Sequence, residues 1–233
     1  MRRSVTPELL DSDAGTPAEV AASLADLRWI NKYFGGTRTM RRLVERVARA
    51  TGARSLSMLD VASGSGDVPL AVAAAIRGRL KLRVTISDRA ETHLPEPANA
   101  VVADAMALPF SDFSFDVVSC SLFVHHLEPG EVVRFVREAL RVARVAVLIN
   151  DLRRSWAHLA LVYAGMPLYR SRLTRHDGPA SVRRAYTMDE VRAMLGNTPA
   201  ARVEIARAWP FRMGVVAWKK WPAIAPPSER EQR

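Results

Sequence analysis

The segment Leu59-Asp60-Val61-Ala62-Ser63-Gly64-Ser65-Gly66-Asp67 constrains this chain more than any other stretch. Apolar residues lead into it (Leu56, Met58, Leu59), and an alanine-rich helical pattern leaves it (Leu70, Ala71, Val72, Ala74, Ala75, Ile76). That predicts a buried strand turning through small residues into a helix. Gly64 and Gly66 let a ligand approach the backbone where a Cβ would collide. Asp60, at the end of the strand, is expected to offer a free carboxylate to that ligand. The dinucleotide pattern G-x-G-x-x-G/A fails, because its third small position, counted from Gly64, is Pro69. No Gly-Lys-Ser/Thr follows the glycines, which excludes a P-loop. An acid ahead of the glycines suits a positively charged amine and would repel a pyrophosphate.

A second β-like run, Leu82–Ser87, ends in Asp88, 22 residues beyond Gly66. A doubly wound fold delivers an acid to a ribose at about that spacing. A third run, Ala100–Ala103, ends in Asp104-Ala105, and a fourth lies at Phe115–Cys120, followed by Leu122-Phe123-Val124-His125-His126-Leu127. In this order, over about residues 55–150, these residues resemble the motifs of the class I S-adenosylmethionine-dependent methyltransferases. The resemblance implies an α/β, doubly wound (Rossmann-like) fold: a mostly parallel seven-stranded sheet with a C-terminal antiparallel hairpin and helices on both faces. It implies S-adenosylmethionine as cofactor, with Asp60, Ala62, Ser63, Gly64 and Gly66 forming the cradle. Asp88 would then accept from the ribose hydroxyls and Asp104 from the adenine amine, with the Ala105 N–H facing the ring; Ser121, after strand four, completes the set.

Two features depart from the family pattern. Only ten residues separate Asp88 from Asn99, and they include Pro95 and Pro97. A crossover helix needs about a dozen residues, so a loop is expected there, leaving the adenine side open. The usual glycine-rich turn before strand five is also missing, since Leu140–Arg144 runs straight into Val145.

A chain of 233 residues that is 48% hydrophobic can bury a sizeable core as one domain. Residues 1–16 read as a flexible N-terminus, 17–221 as a single domain with a helical cap (17–50) and a substrate-side insert (152–186), and 222–233 as a disordered tail. In the cap, Met40, Leu43, Val44 and Val47 repeat at helical spacing. Runs at 202–208 and 212–219 read as the closing hairpin. The lone Cys120 excludes a disulfide framework and points to a reducing cytoplasm. No Cys/His cluster has structural-metal spacing, no signal peptide is evident, and no run is long enough to span a bilayer.

His125 and His126 follow strand four, where a base beside the methyl group would stand; His176, next to Asp177, is a third candidate. The insert centre, Trp156–Tyr169, carries no charge and is bracketed by arginines. It reads as a core helix, a lid over a hydrophobic acceptor, or a helix resting on a membrane surface. Trp29, Tyr33 and Phe34 are either core or an aromatic wall of the same pocket. The impression of small bacterial enzymes that methylate quinones and phenolic lipids favours a small, apolar phenolic, quinol or polyketide-like acceptor, O- or C-methylated. Two alternatives stay open. A net charge of +10 suggests RNA, against which no Asn/Asp-Pro-Pro-aromatic tetrapeptide follows strand four. A non-catalytic, methyltransferase-like partner protein is disfavoured by the intact acids Asp60, Asp88 and Asp104.

Overall fold

A computed structural model describes residues 1–12, 14–94 and 99–219. The expected tail at 222–233, and Pro95 and Pro97 of the expected loop, lie outside the described residues. Two helices come first, α1 (Pro17–Tyr33) and α2 (Gly36–Thr51). The core follows as β1 (Ser55–Val61), α3 (Asp67–Ile76), β2 (Lys81–Asp88), β3 (Ala100–Val102), β4 (Phe115–Ser121), α4 (Pro129–Val142) and β5 (Ala143–Leu152). Then come α5 (Trp156–Gly165), α6 (Arg172–Arg184), α7 (Met188–Leu195), β6 (Arg202–Ala208) and β7 (Arg212–Trp218). The seven strands form one sheet in the order β3-β2-β1-β4-β5-β7-β6; only β7 and β6 run antiparallel to their neighbours.

Alternation along the strands creates two apolar layers. Met58, Val117, Leu148 and Val216 face α2 and α3, meeting Met40, Val44, Val68, Val72 and Ile76. Their chain neighbours Leu59, Val118, Val147 and Val215 face the other way, onto Phe135, Val136 and Leu140 of α4 and Val191 and Leu195 of α7. Thr187 and Glu190 cap α7 reciprocally, as the Thr-x-x-Glu spacing predicts. α3 ends with the apolar pattern at Ile76, because Arg77-Gly78-Arg79 leaves the helix through a turn closed onto Ile76 O. α4 passes directly into β5. Between β2 and β3 the described residues form only a short 3-10 turn, Glu91–His93, in place of a crossover helix.

Register brings the C-terminal ends of β1, β2, β4 and β5 to one edge, with Val61 beside Ser87 and Cys120, and Ser121 beside Asn150. The winding reverses between β1 and β4, and open α/β sheets bind ligands in the crevice at such a point. The N-terminal segment, expected to be flexible, makes specific contacts with the domain. Arg3 places its guanidinium 4.4 Å from the centre of the Tyr186 ring and donates to Leu127 O and Arg184 O. Leu9 and Leu10 donate their N–H groups to the Asp177 carboxylate (2.8 and 3.0 Å). These partners lie more than a hundred residues away, so local composition could not reveal them.

Candidate active site

The floor of the site is the loop after β1. Ala62, Gly64 and Gly66 all adopt positive φ (52°, 53° and 67°), which turns the chain sharply into α3. A Cβ on Gly66 would lie 3.2 Å from Ile86 Cδ1, whereas one on Gly64 would meet nothing within 4 Å, so Gly64 faces open space. Its N–H donates to Asp88 Oδ2 (2.8 Å), and Ala90 N–H donates to Oδ1 (3.0 Å). Each Asp88 oxygen thus accepts one backbone amide and keeps a lone pair for a further donor. Asp104 Oδ1 accepts from Met106 N–H (2.8 Å).

Asp60 is not the free acceptor that the sequence suggests. It is buried, and its carboxylate accepts from Ser119 Oγ and from Ser63 Oγ (2.8 Å). Burial pushes its pKa up to about 7 against those two hydroxyls, and the nearby Asp67 and Asp88 add to the rise. The carboxyl therefore braces the loop from below.

Above this floor lies a cavity of about 690 Å³. Asp60, Ala62, Ser63, Gly64, Asp88, Asp104, Ala105 and Ser121 all line it. Its roof comes from α1, α5, α6 and the N-terminal segment. Leu24, Leu27, Ile30 and Asn31 present one stripe of α1, while Val162, Tyr169 and Val182 face them from the insert. Asp26 ties α1 to the start of α6 by accepting from the N–H groups of Arg170 and Ser171 (2.9 and 3.0 Å). Trp29 and Tyr33 lie exposed on the opposite, outward face of α1 and pack with Phe34, so they are neither the core nor the pocket wall that the sequence left open. Of α5, only His158 and Leu159 are buried.

At one end of the cavity the roof meets the sheet in a charged cluster. His125 is 2% exposed; its Nδ1 lies 2.7 Å from Asp151 Oδ1, and its backbone N–H donates to Oδ2. Its Nε2 faces Glu8 Oε1 at 3.6 Å. His126 packs beside it at a tilt, with Nδ1 3.0 Å from Asp11 Oδ2 and Nε2 3.9 Å from Glu8 Oε2. Burial opposes charge on His125, but Asp151 and Glu8 outweigh it and raise the imidazole to about 10. Burial likewise opposes charge on Glu8 and Asp151, and the histidines overcome it, lowering both carboxyls. Near the glycine loop, Arg212 is buried on the cavity wall. It donates to Phe34 O (3.0 Å) and Asn31 Oδ1 (2.9 Å), while its Nη1 has no hydrogen-bond partner. Burial lowers its pKa to about 10 even though Asp151 and Asp67 favour the charge.

Residues 59–147 match the family described as "Methyltransferase domain". That match spans 89 of the 233 residues and, with the fold, marks the chain as a methyltransferase enzyme with S-adenosylmethionine as cofactor. Among solved structures, the plantazolicin methyltransferase BpumL, in complex with a triazolic desmethylPZN analog and SAH, is 14% identical (TM-score 0.67), the match covering 92% of this chain and 95% of that one. The magnesium protoporphyrin IX methyltransferase of Synechocystis PCC 6803, with bound SAH, is 16% identical at a TM-score of 0.55, covering 85% and 95%. A SAM-dependent methyltransferase from Aquifex aeolicus is 19% identical at 0.54, covering 76% and 89%. No curated protein matches the chain in sequence.

In this methyltransferase two of the three expected histidines come together at the cavity and the third does not. His176 sits on α6, with Nδ1 2.8 Å from Asp177 Oδ1, and does not line the cavity. Asp177 is engaged with the N-terminal segment, so the Arg-His-Asp stretch serves the roof's attachment. Four residues of the site escaped the sequence reading: Glu8, Asp151, His158 and Arg212 line or support the cavity walls. Asp151 carried a readable signal, being an acid that follows the apolar run Val145–Ile149 at the end of a strand. Glu8 carried none. No helix among the described residues is long and apolar enough to cross a membrane.

Proposed function

We propose that this methyltransferase moves the methyl group of S-adenosylmethionine to a hydroxyl oxygen or activated carbon of a small, apolar phenolic, quinol or polyketide-like acceptor. One observation carries the reading: a single cavity runs from the glycine loop to an apolar roof and ends on the His125/His126 cluster. The residues present fit the cofactor. Asp88 has acceptor capacity for ribose hydroxyls, and Gly64 leaves room beside its backbone. The unpartnered Nη1 of the buried Arg212, reached through Asn31 from Asp67 at the start of α3, suits a carboxylate. When bound, the cofactor supplies an electrophilic sulfonium methyl.

The chain's own contribution is alignment and charge. Holding the nucleophile in line is worth several kcal/mol. The roof of leucine, valine and tyrosine side chains excludes water and accepts an aromatic or alkyl body, while the histidine cluster meets the negative charge that develops on a deprotonating hydroxyl. The folds most like this one include enzymes named for an azole-bearing product and for a porphyrin. A cavity of about 690 Å³ under an apolar roof favours a small acceptor over an extended polynucleotide. Incubation with isotopically labelled S-adenosylmethionine and a panel of phenols, quinols and β-dicarbonyl compounds, read by mass spectrometry, tests this. Label in an apolar hydroxylated acceptor is the expected result; label only in RNA would overturn it.

A further inference from the structure

We propose that Glu8, His125 and His126 form a binding site for one divalent transition-metal ion, of the zinc class, at the acceptor end of the cavity. One ligand atom from each of the three lies within 4.8 Å of the others. They combine two imidazoles with one carboxylate, a donor set that suits zinc and its first-row neighbours. Both histidines are held on the nitrogen that points away from the centre. His125 Nδ1 is 2.7 Å from Asp151 and His126 Nδ1 is 3.0 Å from Asp11, which fixes each ring and turns its Nε2 inward. Histidines that bind metals commonly carry such a carboxylate behind them. Asp151 is itself held by the N–H groups of His125 and Leu152.

The centre of the cluster lacks what would satisfy it. Glu8 is 8% exposed, and its Oε1 has no hydrogen-bond partner; the 3.6 Å to His125 Nε2 is too long for one. A proton on one Nε2 can serve only one pair of these atoms. A dication at the centre serves all three, and a modest contraction brings the separations of 3.6 and 3.9 Å to those of ligands around a zinc ion. Glu8, Asp11 and Asp151 supply negative charge to hold it, with Arg184 3.4 Å from Asp11 offsetting part of it. All three ligands line the cavity, so coordination positions left open would face the acceptor.

This deepens the proposed function and rests on it for its purpose. A dication here would bind an acceptor hydroxyl and favour its deprotonation at neutral pH. Sequence spacing alone could not find the site, because Glu8 stands far from the two histidines and reaches them only through the N-terminal segment.

The test uses the full-length protein without a histidine tag, stripped with a chelator and dialysed. Titration calorimetry with Zn²⁺ should show one ion per chain, while Mg²⁺ should not compete. Glu8→Gln and His126→Ala should each weaken Zn²⁺ by about a hundredfold or more, and Asp151→Asn by roughly tenfold to a hundredfold. X-ray absorption of the zinc-loaded wild type should show two imidazole nitrogens, a result that stands even if a variant folds poorly. Absence of Zn²⁺ binding to the wild type, or affinity unchanged in both Glu8→Gln and His126→Ala, would overturn the site. S-adenosylmethionine titration of the same samples separates the two readings: failure there would sink the methyl-transfer account and leave the metal result intact.

Discussion

The floor and the roof of the cavity hold their shape by different physics. On the floor, acids are satisfied mostly by neutral donors from nearby strands and loops: Asp88 by two backbone amides, Asp104 by one, Asp60 by two serine hydroxyls. These groups sit on a hydrogen-bonded sheet and need no charge elsewhere to stay in place. The roof is joined through ionised groups distant in the chain, such as Arg3 with Glu128, Asp11 with Arg184, and Glu8 with His125. A preorganised floor suits a cofactor shared by many enzymes, whereas a roof assembled from long-range contacts can be re-formed around different acceptors. That division makes the two regions separable by experiment.

His125→Ala should give the largest effect. It leaves Asp151 buried without its imidazole, and loss of one member of a buried pair costs about 3–5 kcal/mol. Urea unfolding would show it; a loss below about 1 kcal/mol would mean that the cluster hardly supports the roof. Turnover should fall about a hundredfold or more, with cofactor affinity little changed. Next, Asp88→Ala should cost roughly 1.5–3 kcal/mol of S-adenosylmethionine binding, the range for hydrogen bonds to a charged group. Equal damage to cofactor affinity from a roof substitution would blur the division.

Arg3→Ala should act on the roof alone. Loss of its contact with Tyr186, roughly 0.5–2 kcal/mol, together with its hydrogen bonds, should speed proteolysis within residues 1–12 while leaving cofactor affinity unchanged. Identical cleavage rates would show that the segment is held by other contacts.

The remaining tests concern pH, where floor and roof should respond with opposite sign. Asp60 has a folded pKa of about 7 against a usual 3.8, because burial disfavours its charge. The folded state binds the extra proton, so this stabilisation is present below about 3.8 and is lost as pH rises through 7. His158, stacked on Phe211, is lowered by burial from 6.5 to about 4. There the unfolded state binds the extra proton, so stability is lost as pH falls from 6.5 towards 4. Between about pH 4 and 6.5 the two contributions oppose each other, so each shows in the variant that lacks the other: melting profiles should fall with decreasing pH in Asp60→Asn and with increasing pH in His158→Phe. A flat profile in either variant over that window would contradict the shift of the group that remains.

The same division explains what the sequence could tell. Strand, turn and helix around Gly64 and Gly66 follow from residues adjacent in the chain, and Asp88 and Asp104 stand at the ends of runs visible by their apolar character. The parallel sense of the sheet follows from handed crossovers between such units, and the closing hairpin from two runs either side of Trp209-Pro210, whereas the strand order comes from the structure. What stayed hidden depends on distant partners. Asp60 read as free because Ser119, which occupies it, comes from another strand. His176 read as a candidate base because its orientation on α6 is set by packing. The N-terminal segment read as mobile because Tyr186 and Asp177 hold it from the far side of the chain. Trp29 and Tyr33 read as either core or pocket wall, yet the α1 stripe at Leu24, Leu27 and Ile30 is the one that Asp26 and α6 turn inward.

Calorimetric titration of S-adenosylmethionine into the wild type and Asp88→Ala, with NAD as control, tests the central claim most directly. The account predicts one-site binding of S-adenosylmethionine to the wild type, affinity lower by roughly tenfold to a hundredfold in Asp88→Ala, and no binding of NAD. Equal affinity in the two proteins, or binding of NAD in place of S-adenosylmethionine, would contradict it.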